Sequence, residues 1–250
     1  MIKVRNLVYR VAGRTILDGI SFDVARHSCL GVMGMSGTGK STLLKNIMGL
    51  LRPVSGDIIV DGQSIVGLTE QQLAPVRRKM GMCFQYAALF DSLTVRENVA
   101  FALRRHTQMT DEEIEQRVAE VLERVGMRGT ENLYPAELSG GMRKRVGIAR
   151  ALAPQPQVML YDEPSSGLDP ITAARLDRLL RSLDQEEGMT SVVVTHDVRE
   201  LFEICDVVMM LHEGRIVAMD TPEGLAASKD PLVRQFVEGS PDGPIGTQAI

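Results

Sequence analysis

Apolar and polar positions alternate in two styles along this chain. Short, nearly continuous apolar runs read as strands: Ile2–Val8, Ile20–Val24, Cys29–Met33, Ile58–Val60, Met80–Phe84, Val158–Tyr161, Ser191–Thr195, Val207–Leu211 and Arg215–Asp220. The inner runs lack period-two alternation, as expected of parallel strands covered on both faces. Segments with helical spacing separate several of them, which predicts an α/β architecture.

Two predicted helices announce their starts with capping boxes, Thr94 with Glu97 and Thr110 with Glu113. The first is expected to run to about Arg105. In the second, Ile114, Val118, Val121, Leu122 and Val125 fall on one face, with Glu and Arg elsewhere. Residues from about 87 to 155 contain no clear strand, so this region reads as a helical sub-domain inserted into the α/β core. Beyond Gly239, the run Ser240-Pro241-Asp242-Gly243-Pro244 is rich in turn formers, and the stretch to Ile250 is not expected to pack on its own.

A length of 250 residues fits one large domain or a core with a sub-domain, and an apolar share of 44% suffices for a core. The net charge of -4 supplies no broad basic field for nucleic acid. Trp is absent and aromatics are 4%, so no base-stacking platform is evident. Cys29, Cys83 and Cys205 are far apart in sequence and form no C-x-x-C pair, which reads as three reduced thiols. No apolar run approaches the ~20 residues of a membrane helix, and Met1-Ile2-Lys3-Val4-Arg5 lacks a signal-peptide core. A membrane role is therefore expected to come through a partner.

The chemistry concentrates at strand ends. Strand Cys29–Met33 runs into Gly34-Met35-Ser36-Gly37-Thr38-Gly39-Lys40-Ser41, and Thr42-Leu43-Leu44-Lys45 continues as a helix. This is a phosphate loop in its proper context. Gly34, Ser36, Gly37 and Gly39 let backbone N–H groups converge on phosphate oxygens, and the helix adds its positive end. Lys40 is expected to bridge the outer phosphates and Ser41 to ligate Mg²⁺. Asp162 and Glu163 end a second apolar strand, with Asp162 expected in the Mg²⁺ shell and Glu163 as general base for an attacking water. His196 follows a third strand and is placed to hydrogen-bond a γ-phosphate or that water. His27, His106 and His212 read as turn or helix-end residues. A second candidate phosphate segment is Leu138-Ser139-Gly140-Gly141-Met142, where Ser139 also reads as a helix cap.

Taken in order, these motifs resemble the ATP-binding cassette (ABC) family over nearly the whole chain. The resemblance runs through the Walker A loop at 34–42, a Q-loop at Gln85, the signature at 138–142, Walker B at 158–163, a D-loop at Ser166-Gly167-Leu168-Asp169 and the switch His196. It implies a P-loop NTPase fold, with a RecA-like core, an antiparallel β sub-domain and an inserted helical sub-domain within residues 1–238. It also implies ATP and Mg²⁺ as cofactors, with Gln85 near metal and water. A head-to-tail pair with a second copy is implied too, in which Ser139, Gly140, Gly141 and Asp169 serve the partner's nucleotide. Within the family, Ala88-Leu89-Phe90-Asp91-Ser92-Leu93-Thr94-Val95, the variant signature followed by Arg143-Lys144-Arg145, and Asp230-Pro231-Leu232-Val233-Arg234-Gln235-Phe236-Val237-Glu238-Gly239 are similar to the ATPases of Mla-type phospholipid transporters of Gram-negative bacteria. That branch implies an MlaE-like permease homodimer, an MlaB-like STAS-domain protein and an MlaD-like periplasmic lipid-binding protein. It implies no nucleic acid, a seat on the cytoplasmic face of the inner membrane, and a tail at 239–250 that reaches a neighbouring subunit. The chain departs from the commoner pattern at Met142, where Gln is usual, at Gly167, and at Val11. Val11 stands where an aromatic residue usually stacks on adenine, with Tyr9 two residues before it.

Overall fold

Buried and exposed positions alternate along the first strands. In β1 (Ile2–Val11) the residues Ile2, Val4 and Leu7 are buried, and in β2 (Arg14–Val24) so are Leu17, Ile20, Phe22 and Val24. Both strands therefore present one apolar face, as antiparallel strands do. The computed structural model describes residues 1–246 and resolves into two units, residues 1–67 with 192–250, and residues 68–191.

In the first unit, β1 and β2 form an antiparallel sheet with β4 (Ser55–Val60) and β5 (Gln63–Ser64), in the order β2-β1-β4-β5. Between them run β3 (Cys29–Met33), buried at every residue, and α1 (Lys40–Ile47), which buries Leu43, Leu44 and Ile47. The second unit opens with α2 (Glu70–Arg77) and β6 (Met80–Cys83). Three helices follow, α3 (Val95–His106), α4 (Asp111–Arg124) and α5 (Gly140–Leu152), then β7 (Val158–Asp162) and α6 (Pro170–Glu187). Among the described residues no strand lies between β6 and β7, so residues 87–155 are helix and turn. Strand β8 (Thr190–Val194) crosses the boundary between the units, and in the second unit the order is β8-β7-β6, with β6 and β7 parallel.

Back in the first unit come α7 (Val198–Ile204), β9 (Val207–His212), β10 (Arg215–Asp220), α8 (Pro222–Ala226) and α9 (Pro231–Glu238). Strand β9 lies between β10, antiparallel, and β3, parallel.

Both expected capping boxes are formed. Thr94 N–H donates to Glu97 at 2.8 Å and Thr110 N–H to Glu113 at 2.7 Å. A third, Thr69 with Gln72, starts α2, an element not read from the sequence although its T-x-x-Q signal is plain.

Two expectations are corrected. His212 is the last residue of β9, neither in a turn nor at a helix end. The three cysteines are free thiols, as expected, although Cys29 and Cys205, distant in sequence, bring their buried Sγ atoms to 3.3 Å. The tail is tied back to α9 at Ser240 and Ile245, while residues 241–244 stay exposed. Buried Gln235 donates from Nε2 to the carbonyls of Ser240 (3.3 Å) and Ile245 (3.2 Å) and accepts from Ile245 N–H (2.7 Å), because three backbone groups of the turn converge on one amide. The last four residues of the extension, 247–250, lie outside the described residues.

Candidate functional site

Strand β3 delivers the chain to Gly34, whose φ is +155°. A Cβ there would lie 2.3 Å from the Leu211 carbonyl oxygen and 3.0 Å from the Thr38 hydroxyl, so the loop's first residue must be glycine. Gly39 has φ +102°, and a Cβ on it would lie 2.9 Å from Leu17 Cδ2. Gly39 also starts α1 without any side-chain cap. Every other α-helix among the described residues has a Thr, Ser or Asp side chain in that position. A helix start without a side-chain acceptor leaves N–H groups for an external anion.

Lys40, 6% exposed, folds over the loop and donates from Nζ to the carbonyls of Gly34 (2.7 Å) and Met35 (3.0 Å). Those carbonyls hold the ammonium where phosphate oxygens can exchange for them. Ser36 and Gly37 form the exposed crest, and Ser41 and Thr42 lie half-buried on the first turn of α1.

In the same unit, Thr195 N–H donates to the Val32 carbonyl at 3.3 Å, so the end of β8 lies beside the strand that feeds the loop. His196 comes next and is exposed, and Asp197 caps α7 through the N–H of Arg199 at 2.9 Å. Val11 is 50% exposed at the end of β1, opposite Arg14, and Tyr9 pairs with Leu17.

The second unit carries the remaining site residues. Asp162, 6% exposed, ends β7. Cys83 of β6 pairs with Tyr161 of β7, so Asp162 and the segment holding half-buried Gln85 leave the same edge of these strands. That edge is where α/β folds bind ligands. Burial pushes the Cys83 thiol up to about 12, which keeps it protonated and chemically quiet.

Glu163 has φ +49°, the left-handed region that a non-glycine residue rarely adopts. Ser139 caps α5, its Oγ accepting from Met142 N–H at 3.2 Å, so the segment 138–142 is a helix start whose first residues are Gly140 and Gly141. A Cβ on Gly141 would lie 3.0 Å from Thr172 Cγ2, at the start of α6. Asp169 caps α6. The Thr172 hydroxyl, then the N–H groups of Thr172 and Ile171, hold its carboxyl below the usual carboxylate range.

Sequence reasoning did not find Lys144 and Arg150 of α5. Lys144 Nζ donates to the carbonyls of Gln85 (2.5 Å) and Glu163 (3.0 Å). Arg150 donates to the carbonyls of Ala87 and Ala88, two further residues with positive φ. Basic side chains on a helix are ordinarily solvated, and no sequence signal distinguishes these two.

The sequence profile described as ABC transporter matches residues 17–166. The chain belongs to this family. As an ABC transporter ATPase, it binds and hydrolyses ATP. It is 42% identical over 98% of its length to the intermembrane phospholipid transport system ATP-binding protein MlaF of Haemophilus influenzae, covering 93% of that protein. A probable ribonucleotide transport ATP-binding protein, mkl of Mycobacterium leprae, is 40% identical over 98% of this chain and 71% of its own length. Among solved structures, the cassette MJ0796, a post-hydrolysis dimer bound to ADP and Pi, superposes with a TM-score of 0.82 at 33% identity, covering 89% of this chain and 99% of that one. No helix among the described residues is long and apolar enough to cross a membrane.

Proposed function

We propose that this ABC ATPase energises phospholipid transport between the inner and outer membranes of a Gram-negative bacterium, as the nucleotide-binding subunit of an Mla-type system. The observation that carries this reading is similarity to MlaF along 98% of the chain, well beyond the ATPase motifs. Two copies bind MgATP head to tail, and Ser139, Gly140, Gly141 and Asp169 of each serve the nucleotide of the other.

The loop Gly34, Ser36, Gly37, Gly39, Lys40, Ser41 and Thr42 holds the phosphates. The Ser41 hydroxyl, the Gln85 amide oxygen and the Asp162 carboxylate are hard oxygen donors of the kind Mg²⁺ takes. That ion, when bound, neutralises charge on the outer phosphates. Glu163 accepts the proton of the attacking water, and His196 steadies the γ-phosphate.

The chain sits on the cytoplasmic face of the inner membrane through an MlaE-like permease homodimer. MlaB-like and MlaD-like proteins complete the assembly. Support for a permease contact comes from a cavity of about 380 Å³ beside the segment after Gln85, lined by Met82, Phe84, Phe90, Phe101, Arg150 and Pro154. Its apolar walls suit an apolar segment of a partner. The extension 239–250 reaches the neighbouring subunit.

Replacing Glu163 with Gln tests the chemistry. ATP binding is expected to persist, turnover to fall by about a hundredfold or more, and a dimer to accumulate with ATP. Unchanged turnover would remove Glu163 from its role. Purification of the tagged chain with its membrane partners tests the cargo. The resemblance to mkl favours a second reading, transport of another solute, and a permease without co-purifying phospholipid that moves such a solute would establish it.

A further inference from the structure

Helix α5 begins at Gly140, and Lys144 lies one turn into it, half-buried. The helix buries Val146, Ile148, Ala149 and Leu152, so its apolar packing does not depend on Lys144. What Lys144 does is reach two backbone carbonyls from different parts of the chain, Gln85 at 2.5 Å and Glu163 at 3.0 Å. Both belong to segments with unusual backbone. Glu163 has φ +49°, and its carbonyl also accepts from Ser166 N–H at 3.2 Å. Ala87 and Ala88, just after Gln85, have φ +59° and +49°, and Arg150 of the same helix holds their carbonyls. Such conformations persist only where the surroundings over-determine them. A compact ammonium with three donors on a flexible stem can satisfy two carbonyls at once.

We propose that Lys144 is a positioning residue for hydrolysis. By holding the peptide of Glu163 in its left-handed turn it aims the Glu163 carboxylate, and by holding Gln85 from the same nitrogen it makes both segments follow the signature helix. The closing of Ser139-Gly140-Gly141 on a nucleotide thus reaches the catalytic strand end of the same chain through α5. This rests on Glu163 being the general base.

The test uses the full chain with its permease. Lys144→Met keeps the stem and removes the donors. Turnover is expected to fall at least about tenfold while KM for ATP stays within about twofold, the signature of a group that serves the transition state alone. Lys144→Arg, which retains charge and donors, is expected to recover turnover to within about threefold. In a Glu163→Gln background, Lys144→Met should change the residual rate by less than about twofold, since residues acting as a unit are not additive. Wild-type turnover in Lys144→Met, a loss carried by KM, no recovery in Lys144→Arg, or equal losses in both backgrounds would overturn the proposal. Full turnover in Glu163→Gln alone, with Lys144 intact, would instead show that the base assignment had failed.

Discussion

Gly39 shows how much one residue decides. It is buried, it starts α1 without a side chain, and its φ of +102° is one that L side chains rarely adopt. Gly39→Ala places a Cβ 2.9 Å from Leu17 Cδ2 and is expected to add roughly 1–3 kcal/mol of backbone strain. Nucleotide affinity should fall at least about tenfold, because the loop relieves that strain by turning N–H groups away from the phosphates. Titration with a fluorescent ATP analogue reads this directly, and wild-type affinity in the variant would refute the geometry. The loop was legible in the sequence because glycine spacing encodes local backbone. Lys144 and Arg150 were not, because their partners are carbonyls some 20 to 60 positions away, and a carbonyl carries no residue identity.

Helices in this chain are started by their own sequence and finished by their neighbours. The N-terminal caps at Thr69, Thr94 and Thr110 are local, each a Thr with Glu or Gln three residues on. The C-terminus of α5 is different. Arg117 of α4, buried at 7% exposure, donates from Nε to the Ala153 carbonyl (3.0 Å) and from an Nη to that of Leu152 (3.1 Å). These are last-turn carbonyls that a helix leaves unsatisfied, met here by a cation at the negative end of the dipole. Arg117→Met keeps much of the stem and strips both bonds, so the folded chain is expected to lose roughly 2–3 kcal/mol. Chemical denaturation of the isolated chain measures it, and a loss below about 0.5 kcal/mol would show that water serves those carbonyls equally well. Sequence periodicity put the arginines of α4 off its apolar face and did not reveal this role, since an arginine on a helix reads as solvated.

For the whole molecule, the tail is the informative part. Turn formers predicted a stretch without packing, and residues 240–245 instead close on Gln235. Ending the chain after Glu238 would strip three hydrogen bonds from a side chain that is 7% exposed, at an expected cost of about 1–3 kcal/mol. It should also lower the yield of ATP-dependent dimer in the Glu163→Gln background if the extension serves the neighbouring subunit. Thermal melting reports the first effect and size-exclusion chromatography the second. An unchanged melting temperature would mean that the clip contributes nothing.

By itself the sequence determined the phosphate loop, the acidic strand end, the capped helix starts, the signature segment and the family to which they belong. Each of these is a short run whose residue types constrain their own backbone. The tertiary structure decided which backbone carbonyls those runs face. It turned Lys144, Arg150 and Arg117 from surface charges into fasteners, brought the free thiols of Cys29 and Cys205 side by side, and pinned a turn-rich tail to Gln235. Those contacts arise between segments far apart in the chain, where side-chain reach and burial set the partner and no local pattern records it.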